Sequence, residues 1–123
     1  GFLTSVDTSA NATDAAAPVL SCGDGVAYHA WWASFTPTVN MKGLITTGAS
    51  DYDTVLGLLT GACGALTELA CNDNNGILKT SLIEVTGVGP LLFAAGVTHT
   101  FLVHGFGPAD GGNLTFTLFA EPI

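Results

Sequence analysis

An alternating run of seven residues, Thr98-His99-Thr100-Phe101-Leu102-Val103-His104, indicates the class of fold. Successive side chains of a strand point to opposite faces, so His99, Phe101 and Val103 share one face. Leu102 falls on the opposite face, which also carries His104. A short alternating run that contains β-branched and aromatic residues is typical of a strand and not of a helix.

Similar runs recur along the chain, and turn-forming sequences such as Asn-Asp-Asn-Asn-Gly (72–76) and Gly-Pro-Ala-Asp-Gly-Gly (107–112) separate them. Glycine supplies positive φ in such turns, and Asn and Asp bond their own backbone. About eight short strands at regular spacing predict an all-β fold, a single-domain antiparallel β-sandwich over residues 1–123. The predicted strands are Phe2–Thr8, Ala30–Thr36, Gly43–Thr47, Thr54–Thr60, Leu66–Cys71, Ser81–Thr86, His99–Phe106 and Asn113–Ala120.

The charge balance excludes whole classes of partner. Lys42 and Lys79 are the only basic side chains, the formal net charge is −8, and charged residues make up 10% of the chain. Ordinary soluble domains carry about 25% charged residues. A chain this acidic repels phosphate backbones and anionic lipid head groups, which excludes nucleic acid as a partner. No run approaches the roughly 20 apolar residues of a spanning helix, so we expect no membrane insertion.

The three cysteines, Cys22, Cys63 and Cys71, favour an oxidising compartment. Three cysteines allow three single bridges, and proximity across a hairpin favours Cys63 with Cys71. Cys22 would then be a buried thiol or available to another chain. Zinc is not expected, because the sequence has no Cys-x-x-Cys pair with a nearby His. We therefore expect an extracellular or cell-surface protein whose secretion leader has been removed.

A series of short motifs runs in a fixed order along most of the chain. The motifs are Trp32-Ala33-Ser34-Phe35-Thr36, Asp51-Tyr52-Asp53-Thr54-Val55-Leu56, Leu59-Thr60-Gly61-Ala62-Cys63-Gly64, Leu69-Ala70-Cys71-Asn72-Asp73, Ala95-Gly96-Val97-Thr98 and Gly112-Asn113-Leu114-Thr115. From about Ala12 onward, their order and spacing resemble the bacterial pre-peptidase C-terminal domain. The resemblance implies a jelly-roll-like β-sandwich that binds, solubilises or targets without catalysis, and that in some members binds calcium. The family usually has an aromatic residue at Leu59 and Asp at Asn74, so the chain departs from it there.

The histidines do not form a recognisable catalytic pattern. His99 and His104 lie on opposite faces of one predicted strand, so they cannot converge on one substrate from that strand. The sequence also has no Gly-x-Ser-x-Gly elbow, no His-Glu-x-x-His helix and no phosphate-binding glycine loop. We expect a protein that is not an enzyme and has no catalytic residues.

Two acidic loops are a candidate calcium site. Asp51 and Asp53 stand at the entry to a strand, and Asn72 and Asp73 follow another. Calcium takes six to eight oxygen ligands, which carboxylates, Asn side chains and backbone carbonyls provide. The alternative is that the same side chains bond their own backbone in Asx turns and hold no metal.

Apolar residues at positions that should face solvent predict contacts with other copies of the chain. A group of exposed apolar residues marks an interaction surface, and few charges oppose self-association. The alternative is that the apolar loops fold back and enlarge the core. The strand Phe2–Val6 either pairs within its own sandwich or adds to the sheet edge of a neighbour. The predicted contact residues are Phe2, Leu3, Val6, Ile77, Leu78, Leu82, Leu91, Leu92, Phe93 and Leu102.

Two functions follow from these observations. The first is an extracellular structural subunit that assembles with copies of itself into a filament or surface layer. The alternative is a secreted accessory domain of a larger hydrolase, recognising protein or polysaccharide. For the latter, Trp31 or Trp32 could stack on a sugar, although partial burial of both is the expected state. Sequons at Asn11 and Asn113 are candidate glycosylation sites.

Overall fold

The structure, a computed structural model, describes all 123 residues and is built from eight strands without a helix. Every predicted strand is present, with ends displaced by at most two residues. None of its elements is a helix with the length and apolarity to cross a membrane. The strands are β1 (Phe2–Asp7), β2 (Tyr28–Phe35), β3 (Met41–Thr46), β4 (Thr54–Thr60), β5 (Thr67–Asn72), β6 (Leu82–Val85), β7 (His99–Gly105) and β8 (Asn113–Pro122).

The strands form two four-stranded antiparallel sheets that pack face to face. The first sheet has the order β1-β8-β3-β6 and the second has the order β2-β7-β4-β5. The pairs β1–β8, β2–β7, β3–β6 and β4–β5 are therefore nested along the chain, as in a jelly roll. The predicted β-sandwich is confirmed, including its jelly-roll order.

The main core lies between the sheets and is rich in phenylalanine. Phe116 of β8 and Phe101 of β7 are fully buried, with ring centroids 5.3 Å apart. Phe93, in the loop before β7, packs edge-on against Phe101 at 6.4 Å and against Phe35 at 5.4 Å. Burying each such ring contributes about 1.5–3 kcal/mol. The prediction of Phe93 as an assembly contact is wrong, because this loop folds back and adds to the core.

A second, smaller core lies on the outer side of the second sheet. Residues 8–27, which connect β1 to β2 and which we name the cover segment, place Leu20 against Val55, Leu59 and Leu102. Gly57 makes this approach possible, since a Cβ there would lie 2.5 Å from Leu20 Cδ2. Leu102 is 0% exposed, so its prediction as an assembly contact is wrong. The alternating pattern placed Leu102 on the outer face correctly but could not reveal what covers it.

The disulfide joins Cys22 to Cys71, with Cα atoms 5.8 Å apart, and not Cys63 to Cys71. Cys71 pairs across the hairpin with Gly57, whereas Cys63 lies in the β4–β5 turn beyond Thr60. Cys71 lies four residues from the start of β5, a distance of about 13 Å along the strand. Cys63, in the turn before β5, is therefore too far from Cys71 to form the bridge. Cys22 reaches Cys71 because the cover segment crosses the second sheet. Cys63 is a free, exposed thiol.

Candidate functional site

Strand β1 forms an open edge of the first sheet. It pairs with β8 from Phe2↔Leu118 to Asp7↔Asn113, so this structure holds it within its own sandwich. The Thr8 N–H donates to the Gly112 carbonyl at 2.7 Å. This bond shows that the even-numbered residues of β1 are the ones whose backbone groups bond β8. By that alternation, the N–H and C=O groups of Leu3, Ser5 and Asp7 point away from β8 and towards solvent.

Strand β2 forms the edge of the second sheet on the same side of the sandwich. The cover segment protects its beginning, where the Ala30 N–H donates to the Ala12 carbonyl at 3.2 Å. The Asn11 side-chain amide donates to the Ala30 carbonyl at 2.9 Å. Further along β2, the backbone groups of Trp32 and Ser34 face the same edge and have no partner there. The β1 and β2 edges on this side of the molecule therefore carry unpaired backbone N–H and C=O groups that can bond another strand.

A groove of about 450 Å³ opens between β1 and β2, and we name it the edge groove. Its walls carry no charged side chain. Its lining includes Phe101 and Phe116 of the main core, which are themselves fully buried. The largest lining side chains are Phe2, Phe35, Met41, Phe101, Phe116 and Leu118.

The predicted assembly contacts divide by exposure. Ile77 is fully exposed, Leu78 is exposed in the same loop, and Leu3 is 68% exposed on β1. Val6 and Leu91 are half-buried and pack against the main core. The sequence therefore located several exposed apolar residues, although others of the set contribute to the core. The remaining members, Phe2 (exposed), Leu82 and Leu92 (both half-buried), keep part of their surface accessible.

Leu44 and Phe119 on the outer side of the first sheet were not among the predicted contact residues, although Leu3 and Leu82 beside them were. Phe119 of β8 is 50% exposed and pairs in register with Leu44 of β3. The next row across the sheet runs from Leu3 to Leu82 through two threonines. We name this side, with Leu3, Leu44, Leu82 and Phe119, the uncovered face. The alternation of Asn113–Ala120 contained the signal, since it sets Phe119 opposite to buried Phe116 and Leu118.

The four predicted calcium ligands do not converge as one set. Asp51 accepts a hydrogen bond from the Asn113 N–H at 2.8 Å, and Asn72 accepts one from the Leu82 N–H at 3.0 Å. These two side chains therefore hold the backbone of distant strands in place, and do not form the Asx turns of the alternative prediction. No three His, Cys, Asp or Glu side chains lie close enough together to hold a metal ion.

Asp53 and Asp73 behave differently, because each has a buried carboxylate oxygen without a hydrogen-bond partner. Burial raises the pKa of Asp53, and the charges of Asp73 and Asp110 raise it further, while Lys79 lowers it. Burial also raises the pKa of Asp73. A cation would relieve the repulsion between these carboxylates. The residues fit calcium only in this pair, with backbone carbonyls needed to complete the coordination, so calcium stays a prediction.

The three histidines contact backbone carbonyls. His99 Nε2 lies 3.1 Å from the Leu92 carbonyl in the main core. His104 Nδ1 lies 2.7 Å from the Gly105 carbonyl on the opposite face, and burial lowers the pKa of this imidazole. His29 bridges the carbonyls of Thr8 and Pro108 at 3.1 and 3.0 Å, which ties the end of β1 to the β7–β8 loop.

The two tryptophans take opposite sides of the second sheet, and both are half-buried as predicted. Trp31 faces the main core, 5.1 Å from the ring of Phe116. Trp32 faces outward, and its indole N–H donates to Asp14 Oδ2 at 3.1 Å. Beside Trp32, residues 14–18 of the cover segment border an open cleft of about 820 Å³, which we name the Trp32 cleft. Its polar lining includes Asp14, Ser34, Thr98 and Thr100.

The two sequons differ in their surroundings. The nitrogen of the Asn11 side chain holds the Ala30 carbonyl, and a glycan would be attached to that same nitrogen. Asn113 is exposed at the start of β8 and pairs with Asp7. Glycosylation at Asn113 therefore requires less rearrangement than at Asn11, and both sites stay predictions.

Comparison of the chain with protein-family models, with curated proteins and with solved structures gives no match. The resemblance to the pre-peptidase C-terminal domain therefore stays a prediction.

Proposed function

We propose that this chain is a non-catalytic, extracellular structural module that assembles with copies of itself into a filament or surface layer. The observation that carries the proposal is the number of large apolar side chains at the surface of a chain with few charges. Leu3, Ile77, Leu78 and Phe119 are all at least half exposed. Burying apolar surface contributes about 25 cal/mol per Å², which favours contact between copies.

The disulfide supports the proposed location outside the cell. A bridge between Cys22 and Cys71 persists in oxidising compartments and is rare where glutathione keeps thiols reduced. The resemblance to the pre-peptidase C-terminal domain points the same way, since that family belongs to secreted and surface proteins. The histidine contacts support a role without catalysis, because all three rings bond backbone carbonyls.

The test is the mass of the protein in solution, measured by light scattering over a range of concentrations, with electron microscopy of the same samples. We expect regular polymers whose mass grows with concentration. A parallel series with a calcium chelator tests the Asp53–Asp73 pair, and loss of polymers on chelation would support a cation there. A monodisperse species of one chain mass at high concentration would contradict the proposed assembly.

A matched pair of variants sharpens this test. Ile77→Lys places a charge on a fully exposed side chain of the predicted contact set, and Thr13→Lys places the same charge on the exposed cover segment. We expect Ile77→Lys to raise the concentration needed for polymers and Thr13→Lys to leave it unchanged. An equal effect of the two variants would mean that net charge, and not the apolar contact, controls assembly.

The Trp32 cleft favours a second candidate function, the binding of a neutral polysaccharide by a secreted targeting module. An aromatic ring beside the hydroxyls of Ser34 and Thr100 matches the apolar faces and hydroxyl groups of a sugar. The test is co-sedimentation with chitin or cellulose. Ser34→Lys, which blocks the cleft from an exposed position, should abolish binding, and Thr13→Lys should not. Retention of Ser34→Lys on the polymer would contradict a site in this cleft.

A further inference from the structure

We infer that β1 is an exchangeable strand, which in the assembly leaves β8 of its own chain and occupies the same position in a second copy. The inference rests on the proposed self-assembly and names its contact. It concerns two places in the fold, the edge strand β1 and the position beside β8 that β1 fills.

Strand β1 is the strand whose removal disturbs the sandwich least. It lies at the edge of its sheet and pairs with β8 alone. Four of its six residues are exposed, namely Phe2, Leu3, Ser5 and Asp7. Because one strand pairing and few buried side chains hold β1, it can separate from β8 without breaking any other strand pair.

The position that β1 vacates must be filled again. Departure of β1 would leave the backbone N–H and C=O groups of Leu114, Phe116 and Leu118 in β8 without hydrogen-bond partners. It would also widen the edge groove, which already reaches Phe101 and Phe116. Unpaired backbone groups and exposed phenylalanines are both costly, so the open form is short-lived as a monomer. The β1 strand of another copy restores every contact in the original register.

Charge identifies the occupant of that position as β1 of a second copy. The chain has ten acidic side chains, and close approach of two copies brings like charges together. Residues 1–6 carry no charged side chain, and the walls of the edge groove carry none. Asp7, the last residue of β1, carries its one carboxylate and faces the uncharged Asn113 in the ladder. Exchange of β1 therefore joins two acidic molecules without placing carboxylates opposite each other.

The chain beside β1 can serve as the hinge. Thr8 is buried and bonded to Gly112, and Asp7 and Ser9 on either side of it are exposed. If Thr8 keeps its contacts, the six residues of β1 extend about 20 Å from the donor. Donation from one copy to the next uses two different surfaces, the strand and its acceptor. Such a heterologous contact propagates as a filament unless the rotation between copies closes a ring.

A reversible lock on β1 tests the inference. Ser5 and Thr115 are opposite each other on the outer side of the first sheet, at a position without mutual hydrogen bonds, where side chains approach most closely. The variant Ser5→Cys/Thr115→Cys, with Cys63→Ser to remove the free thiol, can be oxidised as a dilute monomer. We expect no polymers at concentrations at least tenfold above the onset for the starting protein. Mild reduction should restore them.

The matched control places the same bridge where no exchange is expected. Thr60→Cys/Thr67→Cys, also with Cys63→Ser, joins the facing residues of β4 and β5 in the second sheet, away from the predicted contact residues. We expect this oxidised control to polymerise like the starting protein. Excess synthetic peptide with residues 1–7 should also inhibit growth of the unlocked chain, and a scrambled peptide should not.

The outcomes separate the exchange from the self-assembly on which it rests. If the oxidised Ser5–Thr115 variant forms the same polymers as the starting protein, strand exchange is wrong while self-assembly stands. If the starting protein forms none, both are wrong. A thermal melt of the locked variant, at or above the melting temperature of the starting protein, confirms that lost assembly does not come from unfolding.

Discussion

The two sheets of this sandwich differ most on their outer sides. The second sheet has its outer side covered by the chain itself, through Leu20 and the Cys22–Cys71 bridge. The first sheet has no such cover, and Leu3 and Phe119 remain at its surface. Both sides are built from the same alternating pattern of apolar and polar residues. The difference teaches that an outward leucine is a core residue or a surface residue depending on the path of a distant connection.

The largest expected effect is loss of the cover. Cys22→Ser removes the bridge between the cover segment and β5, and loss of a native disulfide from a small secreted domain costs about 2–5 kcal/mol. We expect a fall of this size in the free energy of unfolding, measured by urea denaturation. Cys63→Ser is the matched control, since Cys63 is free and exposed. A comparable loss in the control would mean that the loss in Cys22→Ser does not come from the bridge.

The next effect compares equivalent leucines on the two sides. Leu102→Ala empties a fully buried position under Leu20, and such truncations cost about 2–5 kcal/mol. Leu82→Ala removes a half-buried side chain on the uncovered face, and we expect a loss below about 1 kcal/mol. Urea denaturation of both variants measures the contrast. Equal losses would show that the uncovered face is as well packed as the covered one.

The limits of sequence interpretation follow from this contrast. All eight strands could be predicted, because alternation and turn residues are local properties of the chain. The burial of Leu102 could not, because it depends on residues 8–27 crossing a sheet formed much later in the sequence. The cysteine pairing was wrong for the same reason, since Cys63 is nearer to Cys71 in sequence but Cys22 is nearer in space.

The candidate sites were predictable to a smaller extent. Ile77 and Leu78 are exposed as expected, since nothing in the alternating pattern buries a turn. Phe93 is buried because its loop returns between the sheets, which no local pattern indicates. Asp51 and Asn72 contain the atoms that calcium prefers, yet their oxygens accept hydrogen bonds from the backbone N–H groups of Asn113 and Leu82 instead. The sequence identifies oxygen atoms that could bind calcium, but only the fold determines which of them are free of hydrogen bonds.

The third prediction concerns the pH dependence of the covered side. His104 lies beneath the cover segment, where a Cβ on Gly23 would be 3.3 Å from its ring. Burial lowers the pKa of His104 below its usual 6.5, although the Gly105 carbonyl and Asp24 oppose this change. The unfolded chain therefore binds this proton at higher pH than the folded chain does. The contribution of His104 to stability is complete above about pH 6.5 and decreases as the pH falls towards its folded pKa.

Urea denaturation between pH 7.5 and pH 5 measures this dependence. His104→Asn removes the titrating ring and keeps a donor near the Gly105 carbonyl. We expect acidification to lower the free energy of unfolding of the variant less than that of the starting protein. An unchanged pH dependence would contradict a buried, neutral His104 under the cover. Since no comparable histidine lies on the uncovered face, the test applies to one side of the molecule.

The smallest effect on stability, and the most informative for function, is expected at Phe119. Half of this side chain is exposed on the uncovered face, so Phe119→Lys should change the free energy of unfolding by no more than about 0.5–1 kcal/mol. If copies pack on the uncovered face in addition to exchanging β1, the same variant raises the concentration at which polymers form, as light scattering measures it. Thr13→Lys again serves as the charge control. Should Phe119→Lys polymerise like that control, the uncovered face takes no part in the assembly, and the contacts between copies must lie at the β1 edge and the loop of Ile77.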